Sequence, residues 1–519
     1  MIRGYSATAI REAEQPLLDA GEPLMRHAAL AIAYTAIREI RARGQRVSGS
    51  VTLSLVGGGN NGGDALWAAV ELARRGVQAW AALCAPTVHA EGLEAALAAG
   101  VRIVRIVPEG TTVVPETPGQ LAEGDPTARI ATPDLAALVS TARRAGVWID
   151  GIAGIGVRGA LREPLNVIVD ALDAERRASP DEPVVIAVDL PSGVTDGGTM
   201  PRTVLPAHVT VTMGAAKSGL LLPPAESLAG RIDVVDLGLP LDPAAATVAR
   251  WTGSDTADAI AWPVWEDHKY TRGVVGIAAG TEQYPGAGRL ACEGALACGI
   301  GMVRYLGDLE GMPQSLPEIV TAPGRVQAMV LGPGGAGLEL GLRPVPAILD
   351  AGAAVKRARQ RHPAGSILTP HAGELAQILN VERTEIDANP ALYAAQAAAE
   401  LRAVVMLKGA VTVIATPDGD PVLTVDAGTA WLATAGTGDV LAGITGALVA
   451  SRQARAEADD RELSLRELAE IAASAAWLHG EASREIDGPL RASDLPRAVT
   501  RVLQALAVGA VSSESRRHA

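Results

Sequence analysis

From Val51 onward the chain alternates short β-branched runs with longer Ala, Leu and Arg-rich stretches: VTLSLV, DALWAAVELARRG, VQAWAALCA, EGLEAALAAG and VRIVRIV come in that order. Parallel strands cannot be joined by a tight turn; the chain must cross back over the sheet, and a helix is the usual crossover. The alternation therefore predicts βαβ units and a mostly parallel sheet. Gly76 and Gly100 end the two helical stretches, as expected of the residue that most readily takes the left-handed closing conformation. Further strands are expected at VWID (147–150), VVIAVDL (184–190), HVTVTM (208–213) and IDVVDLGL (232–239), so one α/β unit ends near residue 240.

The chain has 519 residues, more than one hydrophobic core usually serves, since cores stop growing near ~250 to 300 residues. Residues 240–265 lose the alternation and gain Pro, Ala, Thr and Asp, which places a domain junction there. Two domains are expected, 1–240 and 250–510. The second starts at GVVGIAAG, with buried strands at VVGIAA, AMVLG, GSILTP and VVMLKG and late helices at LRELAEIAASAAWLHGEASREI and PRAVTRVLQALAVGAV. GTTVVPETPGQLAEGDPTARIATP reads as a long surface loop and SSESRRHA as a disordered tail. With no Phe and 3% aromatics, the cores must be packed from small aliphatic side chains.

A net charge of −13 argues against nucleic acid as a partner, because binding a polyanion needs clustered Lys and Arg. Any phosphate-bearing ligand must instead be held locally by backbone amides. No apolar run reaches the ~18 residues of a spanning helix, and the first residues lack the apolar core of a signal peptide. A cytoplasmic protein without a membrane partner is expected. Cys84, Cys292 and Cys298 form no CxxC pair and read as incidental thiols.

Residues 56–67, VGGGNNGGDALW, put a glycine-rich turn between a strand and a helix, so backbone N–H groups point at whatever sits above the helix N-terminus. The spacing is not GxGxxG, and an ordinary dinucleotide fingerprint fits poorly. One of Asn60, Asn61 and Asp64 would suffice as a helix cap; three side-chain oxygens in one turn point to a ligand. Asp150 ends VWID, and Asp189 ends VVIAVD before LPSG with Ser192. The carboxyl ends of parallel strands line one crevice, so Asn61, Asp150, Asp189 and Ser192 are expected to converge, as an oxygen-rich set suited to a hard cation.

These motifs, GGGNNGGDAL, DGIAGIGVRGA and VDLPSGV, together with EPLMRHAALAIA at 22–33, resemble the YjeF N-terminal domain, the NAD(P)H-hydrate epimerase family, over about residues 5–240. The resemblance implies a Rossmann-like three-layer fold. It implies that Asn60, Asn61, Gly62, Gly63 and Asp64, with Gly154, Ile155, Gly156, Val157, Arg158, Gly159 and Ala160, contact the hydrated nicotinamide nucleotide. It further implies potassium held by Asn61, Asp150 and Ser192, and Asp189 as substrate contact and acid/base. Ala65 stands where that family usually has Gly, which is expected to tighten the pocket.

AGTGDVLAG at 435–443 places Gly436, Thr437 and Gly438 ahead of a helix with Asp439 in its first turn, an anion hole beside a carboxylate able to take a hydroxyl proton. KGAVTVI offers Lys408 and Thr412 to nucleotide phosphates, TPHAGEL places His371 and Glu374 in a strand-end loop, and GPGGAG and GTEQYPGAGRLACEGAL add two glycine turns. For His371 a capping role is as consistent with the residues as a ligand role.

Together with DHKYTRGVVGIAAG, this set resembles the YjeF C-terminal domain, the ADP-dependent NAD(P)H-hydrate dehydratase family of the ribokinase-like fold, over about residues 255–505. Carried over motif by motif, Ala287, Gly334, His371 and Asp439 would face the substrate. Lys408, Gly409, Ala410, Val411, Thr412 and Gly438 would hold ADP, with Mg2+ accompanying the nucleotide. GPGGAG stands where bacterial members usually read GPGLG. The joint implication is a bifunctional repair enzyme acting on NADHX and NADPHX, in which an epimerase feeds a dehydratase specific for the S form, with AMP and phosphate as by-products; family members often form homo-oligomers. Two alternatives remain open: a vitamin or sugar kinase, since GTGD is shared across ribokinase-like proteins, and an N-terminal domain that serves only as a binding module.

Overall fold

The computed structural model describes residues 1–108, 133–154, 159–309, 311–335, 344–357, 365–426 and 428–517. The surface loop expected at 110–133 falls almost wholly outside them. The chain forms two compact units: Arg3–Thr247, and Val248–Ala519 together with Met1–Ile2. Met1 belongs with the second because its terminal ammonium donates to Asp255 at 2.7 Å.

In the unit Arg3–Thr247 seven parallel strands run in the order Arg102–Arg105, Gln78–Leu83, Val51–Val56, Val147–Gly151, Val184–Val188, Val209–Met213, Arg231–Val235. Successive side chains of a strand face opposite ways, which sorts the sheet into two cores. Val147, Ile149 and Ile186 pack with Ala29, Ile32 and Ala36 of the helix Leu24–Ala42. Leu53, Trp148 and Val185 pack with Leu138 of Leu135–Ala142 and Ile168 of Leu165–Ala178. Three layers result, and the order reverses direction between Val51–Val56 and Val147–Gly151, the place where an open parallel sheet leaves a crevice. At one side, Gly4 and Tyr5 pair with Ala216 and Lys217, and the helix Ala7–Asp19 follows.

In the second unit the strands run Met302–Tyr305, Val274–Ala278, Ala328–Leu331, Ala347–Leu349, Ile367–Leu368, Val404–Leu407, Val411–Ala415, Val422–Asp426, Val248–Arg250. Those up to Val404–Leu407 are parallel, and Val411–Ala415 is antiparallel to both its neighbours. Helices Pro285–Ala297, Thr437–Ala458 and Leu465–Arg484 bury one face. Ala353, Leu375 and Ala394, from helices on the other face, are also buried. This is the ribokinase-like α/β arrangement. Small residues let Pro285–Ala297 and Thr437–Ala458 touch backbone to backbone: a Cβ at Gly443 would collide with the Ala291 carbonyl, and one at Gly294 would lie 2.5 Å from that of Val440.

The boundary between the two units, Thr247 to Val248, falls within the stretch 240–265 expected to hold the junction, and that stretch also carries the strand Val248–Arg250 and the helix Gly253–Ala259, whose start is closed by a reciprocal Thr252–Asp255 capping box. One expectation needs correcting. The tail expected to be disordered continues a helix from Leu495 to Arg517, since no proline after Pro496 interrupts its hydrogen-bond ladder.

Candidate active sites

The first site is built at the reversal of the sheet order. Register pairs Leu55 with Asp150 and Val56 with Gly151, so the glycine turn and the Asp150 loop emerge side by side. A Cβ at Gly57 would collide with the Ile152 carbonyl, and one at Gly62 with the Gly57 carbonyl, which is why the turn is glycine-rich. Ala65 is fully buried against Gly151 and does not line the cavity; the expected tightening is absent because Gly151 has no side chain to meet it.

A cavity of about 700 Å³ opens above this turn, lined among others by Glu14, Asn60, Asn61, Asp64, Gly154 and Asp189. Gly62 and Gly63 are buried in the helix start, while Gly159 and Ala160 are exposed and outside the lining. Ile155, Gly156, Val157 and Arg158 lie outside the described residues. Asn61 Nδ2 donates to Val188 O at 2.6 Å, so its amide oxygen remains an acceptor.

Asp150 and Ser192 meet beside Ala153, one of the cavity-lining residues. Ser192 donates to the Asp150 carboxylate through Oγ at 2.6 Å and through its backbone N at 2.9 Å. Asp150 is fully buried, and burial pushes its carboxyl up against the pull of the Ser192 hydrogen bonds. No cationic side chain is among its hydrogen-bond partners in the described residues.

Asp189 sits at φ 70°, a left-handed backbone that non-glycine residues adopt at a cost and that recurs at functional sites. The turn aims its carboxylate at Lys217, with which it is ion-paired, while Thr212 Oγ1 and Met213 N donate at 3.2 Å. Lys217 is 1% exposed and also donates to Met213 O at 2.8 Å. Asp64 is buried beside this pair; burial first, then the charges of Asp189 and Glu14, hold its carboxyl well above the usual range.

The second site gathers at the start of the helix Thr437–Ala458. Gly436 takes φ 91° and Thr437 Oγ1 donates to Leu432 O and Thr434 O at 2.9 Å, fixing the turn. The buried His479 ring lies 3.0 Å from Thr437 O, and burial lowers it to about 4, so it stays neutral. Asp439 is pushed up to about 6 by burial and by the nearby Asp350 charge, against the pull of Lys408.

Lys408 does not offer its ammonium freely to phosphate. Its Nζ lies 2.7 Å from Asp350 Oδ1, which Thr369 Oγ1 also reaches at 2.6 Å. A Cβ at Gly438 would lie 3.6 Å from that ammonium, so the pair underlies the anion hole. Val411 and Thr412 are buried in the hairpin, whereas Gly409 and Ala410 are exposed at its turn. His371 caps the helix Ala372–Leu379, its Nδ1 accepting from Gly373 N and Glu374 N, and its ring remains largely exposed. Its backbone bridges to Lys408. Gly334, at φ 66°, packs so that a Cβ there would lie 2.8 Å from that of Ala287. Burial raises the Cys84 and Cys292 thiols to about 12, which leaves them unreactive.

Glu14, Lys217 and Asp350 escaped the sequence reading. A signal was present for one: the chain has four lysines, Lys217, Lys269, Lys356 and Lys408, against a surface otherwise supplied with Arg. Two of these four pair with a buried carboxylate.

A Rossmann-like unit with a cation-and-carboxylate crevice, followed by a kinase-like unit with an anion hole beside a raised aspartate, defines a two-site nucleotide-processing protein. Residues 21–219 match the family described as YjeF-related protein N-terminus, and residues 275–504 match NAD(P)H-hydrate dehydratase. The chain is 38% identical over 477 residues to a bifunctional NAD(P)H-hydrate repair enzyme of Mycobacterium tuberculosis, covering 86% of this chain and 89% of that one. It is 41% identical over 253 residues to an NAD(P)H-hydrate epimerase of Clavibacter michiganensis, covering 47% and 94%. A solved ADP/ATP-dependent NAD(P)H-hydrate dehydratase of Bacillus subtilis, co-crystallised with ATP and Mg2+, covers 50% of this chain and 99% of that one at 27% identity and TM-score 0.43. The chain belongs to the family of bifunctional NAD(P)H-hydrate repair enzymes.

Proposed function

We propose that this chain repairs hydrated nicotinamide coenzymes. The unit Arg3–Thr247 interconverts the R and S forms of NADHX and NADPHX. The second unit phosphorylates the ring hydroxyl of the S form from ADP and expels phosphate, returning NADH or NADPH with AMP and phosphate as by-products. The observation that carries this reading is Asp439, a half-buried carboxylate raised to about 6 at a helix N-terminus built from glycines. A base with that value is ionised at neutral pH yet binds a proton well enough to take one from a hydroxyl. Hydroxide leaves poorly and phosphate well, so transferring a phosphoryl group first makes water loss from the ring feasible.

Gly436, Thr437 and Gly438 bind the transferring phosphate, the exposed 409–410 turn binds the nucleotide, and Ala287 with Gly334 shape the space for the ring. Magnesium bound to the nucleotide phosphates offsets negative charge on them during transfer. In the first unit the buried Asp150 carboxylate, the Ser192 hydroxyl and the Asn61 amide oxygen form an all-oxygen donor set around an unneutralised charge, which suits potassium. Its charge would anchor the nucleotide's negative end. The reading places the protein in the cytoplasm, with the coenzymes it restores, as an assembly of like chains; no described helix is long and apolar enough to cross a membrane.

The test is recovery of the near-ultraviolet absorbance of reduced nicotinamide from mixed-epimer NADHX, with magnesium and either ADP or ATP. Complete recovery supports both halves. Recovery that stops at the S fraction removes the epimerase, and a stable phosphorylated product formed from ATP would replace the dehydratase by a kinase.

A further inference from the structure

The family match to the first unit begins at residue 21, yet the preceding helix forms one wall of the cavity. Arg11, Glu14, Gln15 and Leu18 of Ala7–Asp19 all line it, and the spacing i, i+3, i+4, i+7 is one continuous helical face. That face is anchored at the start of the helix. Tyr5 pairs in register with Lys217, so the helix leaves the sheet beside the buried ammonium. Its first turn is held by Ser6 Oγ, which accepts from Ala9 N at 3.2 Å, and by Asp196 Oδ2, which accepts from Ala7 N at 2.7 Å. Ile10 is fully buried in a small cluster with Tyr5, Ala215 and Ala246 beneath it.

We infer that Glu14 is a catalytic residue of the epimerase, the proton donor that works opposite Asp189. The inference rests on the epimerase reading given above. Inverting the hydroxyl-bearing ring carbon C6 requires its bond to the ring nitrogen N1 to open and re-form on the other face. Asp189 takes the hydroxyl proton and C6–O becomes a carbonyl. The C6–N1 bond breaks with its electron pair going to N1, and Glu14 delivers its proton there. Rotation of the open-chain aldehyde presents its other face; N1 then attacks, its proton returns to Glu14 and that of Asp189 returns to oxygen. No proton or electron is consumed.

Asp189 is placed to exchange a proton with the hydroxyl oxygen alone, because its Oδ1 is already taken by Lys217, Thr212 and Met213 N and only Oδ2 is left for the substrate, so N1 needs a second group. Glu14 is half-buried, and burial raises its carboxyl above the ordinary range; Lys217 and Arg11 pull it down and Asp189 pushes it up. Asp64 also lines the cavity, but at 8% exposure from the first turn of Asn60–Ala73 it is the less accessible of the two, and Glu14 is the half-buried carboxyl on the opening helix.

The experiment follows pure (R)-NADHX converting to the S form, by chromatographic separation of the epimers, with the full chain and no nucleotide. Glu14→Gln is expected to lower kcat about 100-fold, the low end for losing a general acid, with KM within about threefold. Glu14→Asp should fall between, and added acetate should restore turnover to Glu14→Ala. ADP-dependent dehydration of the S form by the same preparations should stay at the wild-type rate. Wild-type kcat in Glu14→Gln overturns the inference. So does a loss that tracks a lowered melting temperature and is not rescued by acetate. If Asp189→Asn is inactive while Glu14→Gln is active, only this inference fails; if the wild type does not epimerise, the epimerase reading fails with it.

Discussion

Lys408 Nζ lies 2.7 Å from Asp350 Oδ1, and the two residues, 58 positions apart in the chain, form a charged pair under the turn that presents Asp439. Burial alone would push the Lys408 ammonium down; the carboxylates around it, Asp350 foremost and then Glu374 and Asp439, together outweigh it and the value is raised. Asp350 in turn raises Asp439. Replacing Asp350 by Asn removes a negative charge and frees a positive one near Asp439, and both changes lower the Asp439 value. The acid limb of the dehydration profile in kcat/KM should move below its wild-type position near about 6, as measured with the S epimer across pH. An unmoved limb would mean that Asp439 is not the titrating base.

Asp439 carries a stability cost as well. Its folded value, about 6, exceeds an unfolded value near ~3.9, so the folded state binds the proton more tightly. Stability contributed by the protonated form is therefore lost as pH rises from about 4 to about 6. Asp439→Asn should abolish dehydration, leave epimerisation intact, and stabilise the second unit at neutral pH by about 1 kcal/mol after allowance for solvent screening. Denaturant melts at neutral pH and below about 4 check the sign, because the gain should vanish at the lower pH.

The Lys217–Asp189 pair makes a sharper prediction about the first unit. Lys217→Met leaves a buried carboxylate without its ammonium, and losing one partner of a buried pair costs about 3 to 5 kcal/mol. Adding Asp189→Asn removes the stranded charge and should recover most of that stability without recovering epimerisation. Thermal melts of the single and double variants, read beside epimer interconversion, separate the pair's structural part from its chemical one. A double variant that still epimerises would exclude Asp189 as the base.

Potassium should bind where the buried Asp150 charge lacks a cation. Adding KCl in place of tetramethylammonium chloride should raise the melting temperature of the wild type, since a ligand of the folded state stabilises it by mass action. Asp150→Asn should abolish that dependence. An equal salt response in both proteins would place the cation elsewhere.

Much of this architecture was readable along the chain. Strands such as Val51–Val56 and Val274–Ala278 are short runs rich in β-branched residues, and the turns at 57–63 and 436–439 carry Gly57, Gly62 and Gly436, which no other residue can replace without collision or strain. Such features depend on a handful of neighbouring residues, so hydrophobic period and turn chemistry are enough to place them. Asp189 and Asp439 stand out as candidates for the same reason, since each closes or opens a local motif. The short strands Ile2–Tyr5 and Ala216–Lys217 gave no such signal. Only their pairing brings Tyr5 beside Lys217 and swings the next helix, with Glu14, onto the cavity. Likewise nothing near Lys408 names Asp350; sheet order and burial do. A charge buried in a low-dielectric interior must find its partner wherever the fold puts one, and that choice is made between elements far apart in the chain, as Lys408 with Asp350 and Lys217 with Asp189 show.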